Sequence, residues 1–241
     1  MNAENWDAFY HGGWQWPWAL LVVPFAWAIA RAIARGDAPD SALGRFVRLW
    51  GTVFVLETML DPVAGACVRG ASAAVQTGTG LFFVLAGDFR IYWLLAGIAD
   101  GGRITARGFA RAAAMTAAVP SAAFALTRAA AAIQGELSEQ VLWLTHEALF
   151  VAVVAFAARI WVPAVLSGET ARYARWVCAW VAAYYALWAA ADVLILAGVD
   201  AGWAVRCVPN QLYYALTVPV LELGYGWVVN ARSSTSTQAS R

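Results

Sequence analysis

The chain contains no lysine; all 16 of its basic side chains are arginine. A retinal Schiff base needs a lysine amine, so a microbial rhodopsin is excluded whatever the number of helices. Charge of either sign is scarce. Only 13% of the 241 residues are charged, where a soluble domain usually carries about 25%, so most of the surface cannot face water. The net charge of +1 leaves no basic footprint for nucleic acid. There are just three cysteines, Cys67, Cys178 and Cys207. None forms a CxxC pair, and neither a disulfide framework nor a zinc site is expected. Cys67 and Cys207 both fall near the outer ends of predicted helices, so one bridge between them stays open. The stretch from Met1 to Gly13 lacks a basic region, and no cleavable signal peptide is expected. No internal repeat is visible, which weighs against an inverted-repeat transporter.

What is present is apolar length. The chain is 62% hydrophobic, and crossing a bilayer takes about 20 such residues in a helix. The segments 14–34, 46–66, 78–99, 109–133, 140–163, 174–199 and 203–229 qualify. They predict an all-α, polytopic membrane bundle of about seven transmembrane helices, forming one domain over residues 1–230. The fourth is Ala-rich and is interrupted by Pro120 and Arg128. The polar tail 231–241 is expected to be disordered.

Arginine placement sets the orientation. Arg31, Arg35, Arg45 and Arg48 flank the first connection, Arg103, Arg107 and Arg111 the third, and Arg159, Arg172 and Arg175 the fifth. Arg232 and Arg241 lie in the tail. The opposite side receives Arg69, Arg128 and Arg206, and Arg90 falls inside the bilayer. This bias puts the N-terminus outside and the C-terminus in the cytoplasm of a multi-pass cell-membrane protein. Trp14, Trp16, Trp18, Trp143 and Trp203 near outer helix ends, with Trp50, Trp161, Trp176 and Trp227 near inner ends, suit the two interfaces.

Ionisable residues at membrane depth are costly, and they normally face the bundle interior with a partner. Helix two carries Glu57 and Asp61, one turn apart on the same face and followed by Pro62. Helix three carries Asp88 and Arg90 in the string GDFR. Two residues apart, they point to nearly opposite sides, so each needs a partner on another helix. Helix five opens with His146 and Glu147; helix six holds Tyr184, Tyr185 and Asp192. Helix seven brings Arg206, Asn210, Gln211, Tyr213 and Tyr214, and its deep acid is Glu222. Converted to depth, most of these lie in the outer half or the middle, and Glu222 alone lies clearly on the inner side. A single polar cavity open to the outside is the simplest arrangement.

Each group has a functional and a structural reading. Glu57 is a candidate proton donor with Asp61 tuning it; structurally, one acid pairs with Arg90 and the other serves the Pro62 kink. Asp88 and Arg90 either line a site or fix helix packing. His146 and Glu147 suit acid–base or hydrogen-bonding roles. Their spacing matches neither HExxH nor the Glu-x-x-His of di-iron bundles, and no metal or other cofactor is expected. Asp192, Asn210 and Tyr214 suit a polar head group or interhelical hydrogen bonds. Glu222 is either a second catalytic acid or a side chain reaching the inner interface. Trp27, Trp180, Trp188, Tyr184 and Tyr185 form either an aromatic wall that stabilises a cation or ordinary packing.

With Glu57 in the second helix and Glu222 in the last, the layout resembles the small seven-helix integral-membrane terpene cyclases of meroterpenoid and indole-terpenoid pathways. That resemblance implies an enzyme that protonates an epoxide or alkene with buried carboxylic acids. GDFR and THE are not strings assigned to that family. The expectation is a membrane-embedded enzyme acting on an isoprenoid or lipid-like substrate, with Glu57, Asp61 and Glu222 as catalytic acids. Asp88, Arg90, His146, Glu147, Asp192, Asn210 and Tyr214 would bind the substrate. The expected partners are the bilayer and a hydrophobic small molecule. The alternative is a non-enzymatic sensor, carrier or accessory subunit whose buried charges are structural.

Overall fold

The computed structural model describes residues 5–11, 25–33 and 41–238, with side chains for 6–11, 25–33 and 41–228. The belt residues Trp14, Trp16 and Trp18, the first part of the segment 14–34, and Arg35 lie outside the described residues. The described chain is helical, without strands. A short helix α1 (Asn5–His11) precedes α2 (25–33), α3 (Ala42–Cys67), α4 (Ala73–Ala99) and α5 (Ala106–Gln134). There follow α6 (Glu139–Phe156), continuous through a π-helical turn (Ala157–Trp161) with α7 (Val162–Val165), and then α8 (Gly168–Leu196). The last rod is α9 (Ala201–Gln211), a second π segment (Leu212–Leu216) and α10 (Thr217–Gln238). This rod extends to Gln238, and no proline or glycine after Gly226 interrupts it.

Four described stretches are long and apolar enough to cross a bilayer: Ala73–Ala99, Ala106–Gln134, Glu139–Val165 and Gly168–Leu196. At ~1.5 Å rise per residue each exceeds the ~30 Å hydrocarbon core. Their outward surface is apolar, with Leu81, Phe82, Ile133, Phe156 and Ile160 all exposed. These features suggest a membrane protein. Helix α3 has comparable length but carries Arg45, Arg48, Glu57 and Asp61.

Local chemistry sets the helix ends. Ser41 caps α3 by accepting from the Gly44 N–H at 3.0 Å, and its hydroxyl also meets the Tyr225 hydroxyl at 2.8 Å, tying α3 to α10. Thr105 caps α5 through the Gly108 N–H at 2.9 Å and donates to Asp100. Gly101 and Gly102, at φ +65° and +83°, make the left-handed turn between α4 and α5 that other residues would strain. Each π segment lies one turn ahead of a proline. Pro163 and Pro219 have no N–H to offer the carbonyls of Arg159 and Ala215, and the backbone widens there. All three cysteines are free thiols, so the possible Cys67–Cys207 bridge is not formed.

Helix α8 packs against α4, α6, α9 and α10 and is the centre of the bundle. Phe150 of α6 stacks on Tyr185 of α8 with ring centroids 4.1 Å apart. Tyr213, from the second π segment, reaches α4 where Gly87 leaves room, and a methyl group there would collide with its hydroxyl. Gly87→Ala is therefore expected to cost about 1–3 kcal/mol, read as a lower thermal midpoint in detergent. An unchanged midpoint would mean that Tyr213 swings aside freely.

Candidate functional site

At the end of the bundle where α1 sits, a cavity of about 450 Å³ opens between α4, α6, α8 and α9. Its wall includes Asp88, His146, Glu147, Asn210 and Tyr214 from the expected set, with Tyr10, His11, Glu139, Trp143, Tyr185, Trp188, Trp203, Arg206 and Tyr213. Sequence spacing alone cannot supply this convergence, because it depends on how α4, α6 and α8 rotate against one another.

Asp88 of α4 lies at the floor, 1% exposed. Tyr185 of α8 donates to its Oδ1 at 2.5 Å. His146 of α6 presents Nε2 to its Oδ2 at 3.4 Å. A carboxylate held on one oxygen by a phenol and facing an imidazole with the other can exchange a proton with that imidazole when the two close from 3.4 Å to hydrogen-bonding distance. The arrangement also fixes the ring: with Nε2 turned to Asp88, Nδ1 is the nitrogen left for other partners.

Arg206 of α9 organises the mouth. Its guanidinium pairs with Asp192 of α8 and lies 3.5 Å from Glu147 Oε1 of α6, and its Nε donates to the Tyr10 hydroxyl at 3.0 Å. Asn210 donates to the same hydroxyl at 3.4 Å and accepts from Trp188 Nε1 at 2.7 Å. Tyr10 and His11 of α1 also pack on the Trp203 ring, at centroid distances of 5.1 and 4.9 Å. Asp192 is fully buried behind Arg206 and does not itself line the cavity.

A second charged group lies beyond the cavity wall. Arg90, fully buried, donates from Nη1 to Thr58 Oγ1 at 3.3 Å and from Nη2 to the Tyr213 carbonyl at 3.1 Å. That carbonyl belongs to the π segment, where the wider turn leaves backbone oxygens for side-chain donors. The Tyr213 ring covers the Arg90 guanidinium at 3.9 Å, and Glu57 sits 3.8 Å from Nη1. Asp61 is hydrogen-bonded to Tyr214. Glu57 and Asp61 therefore do not line the cavity; Asp61 connects to it through the Tyr214 hydroxyl.

Glu222 stands apart from both groups. Arg31 of α2 donates to its Oε2 at 3.0 Å and Trp27 to its Oε1 at 3.4 Å. Arg31 also donates to the Arg48 carbonyl and to Thr52 Oγ1, each at 2.7 Å. Gly51 makes room for the Glu222 carboxylate. These contacts fasten α2 to α3 and α10. Arg128 lies elsewhere again, over the Phe124 ring at 5.2 Å.

Among the described residues, no three His, Cys, Asp or Glu side chains converge as metal ligands would. Sequence reading missed Tyr10, Glu139 and Arg31 as partners. The first belongs to NWDAFYH, a helix too short to give a periodic signal. Arg31 read only as a positive flank.

No protein family, curated protein or solved structure matches this chain, so its own geometry must carry the functional reading.

Proposed function

We propose that the protein is a membrane-embedded enzyme that acts on a lipid-like, isoprenoid-type substrate by proton transfer in this cavity. The reading includes seven spans, the N-terminus outside and the cavity in the outward half of the cell membrane. It draws on the arginines that cluster in alternate connections. The observation that carries it is the Asp88 carboxylate, bonded to Tyr185 on one oxygen and facing His146 on the other, in the wall of an aromatic cavity. We assign the donor role to the Asp88–His146 pair rather than to Glu57, because Glu57 lies against Arg90 outside the wall.

The chemistry balances within the pair. Its shared proton passes to an epoxide oxygen or alkene carbon. The epoxide C–O bond, or the alkene π-bond, breaks and leaves a carbocation. The Trp188 ring in the wall attracts that charge. Attack by a second alkene closes a ring, and the cation then returns a proton to the pair. Asp61, through Tyr214, and Arg206, through Glu147, hold the wall in place. The test compares membrane lipids from cells expressing the wild type with those expressing His146→Gln. The wild type is expected to deplete or create a lipid-soluble species that the variant does not. Identical profiles would overturn the reading.

A non-enzymatic sensor, carrier or accessory subunit is favoured by one observation. Arg206 is already engaged by Glu147, Asp192 and Tyr10, as a purely structural charge would be. Thermal stability separates the two. Under the enzyme reading Asp88→Asn and His146→Gln stay folded; under the structural reading they unfold as readily as Arg206→Gln.

A further inference from the structure

We infer that the cavity binds an organic cation, a quaternary or protonated amine carried on an apolar tail. This rests on the cavity being the substrate site, and extends that reading to the charge of the substrate. The wall carries the acids Asp88, Glu139 and Glu147 against one arginine, Arg206, and two histidines, His11 and His146, which already face Asp7 and Asp88. That arginine is committed: its guanidinium faces Glu147 Oε1 and Asp192, and its Nε serves Tyr10. An anionic head group would therefore meet an excess of carboxylates and no free cation among these wall residues. A positive one would meet the reverse.

One atom points the same way. Glu147 is 3% exposed, and its Oε2 has no hydrogen-bond partner. Buried carboxylate oxygens are normally satisfied, so a cationic partner supplies what this one lacks. Around it Trp143, Trp188 and Trp203 line the cavity with aromatic rings. Carboxylate together with several rings is the chemistry that recognises alkylammonium groups, whose charge is spread over methyls that pack on π-faces. The volume of about 450 Å³ admits a head group with part of a tail.

The test uses the full-length protein in maltoside micelles and follows tryptophan fluorescence during titration. Octyltrimethylammonium, octyl sulfate and octanol share one tail and differ in head-group charge; tetramethylammonium has no tail. Saturable binding of octyltrimethylammonium is expected, roughly tenfold tighter than octyl sulfate or octanol. Weaker binding of tetramethylammonium is expected, because it lacks the tail; binding equal to that of octyltrimethylammonium would overturn the assignment of a tailed cation. Glu147→Gln is expected to weaken binding about tenfold. Trp143→Leu, which leaves the Arg206 contacts intact, should weaken it too. Equal affinity for ammonium and sulfate, or ammonium binding unchanged in both variants, overturns the inference. If that happens while the lipid profile of cells still depends on His146, the enzyme reading stands and only the charge assignment falls.

Discussion

Arg90→Ala is expected to destabilise the folded protein by about 3–5 kcal/mol, read as a fall in the unfolding midpoint in detergent. The size follows from what is stranded. Glu57 loses the guanidinium 3.8 Å away, and the Tyr213 carbonyl and Thr58 hydroxyl lose donors. A buried charge without its partner costs far more than the pair contributes. Arg90→Lys should not rescue it, because a single ammonium cannot reach Thr58, the Tyr213 carbonyl and Glu57 as a planar fork does. Removing both charges should do better: Arg90→Met with Glu57→Gln is expected to recover at least half of the loss, a coupling that a double-mutant cycle measures. A wild-type midpoint for Arg90→Ala would mean that water, rather than protein, already satisfies these groups.

The same arginine shows how far the sequence could be read. GDFR places Asp88 and Arg90 on nearly opposite sides of one helix, which requires partners elsewhere, and the structure gives them Tyr185 and His146 on one side and Glu57 and Thr58 on the other. The separation of Glu222 was equally legible, since depth follows directly from position along a helix. Rotation does not. Whether Glu57 or Asp88 faces the cavity depends on how α3 and α4 turn about their own axes. That angle is set by contacts such as Tyr213 against Gly87, between residues far apart in the chain. The π segments were hidden for a related reason. A proline announces a missing N–H, but not whether the backbone kinks or widens. At Leu212–Leu216 it widens, and this puts the Tyr213 carbonyl within reach of Arg90. Arg31 shows the opposite error. An arginine near a helix end reads as a topogenic flank, yet here it holds a buried carboxylate.

Asp88→Asn is expected to lower turnover by about 10²–10⁴-fold, with little change in the unfolding midpoint. The amide keeps the shape of the carboxylate and can still accept from Tyr185, so the floor of the cavity stays built. It cannot exchange a proton with His146, and the shared proton on which the proposed chemistry depends is gone. His146→Gln should cost a similar factor. The double variant should cost little more than either alone, because two groups that act as one unit fail together. Tyr185→Phe is the contrasting case. It removes the bond to Asp88 Oδ1 but leaves the approach of His146 to Oδ2, so a loss of about tenfold is expected. A ranking in which Tyr185→Phe is as damaging as Asp88→Asn would make the phenol the reacting group. A ranking in which Glu57→Gln is worse than both would return the donor role to α3.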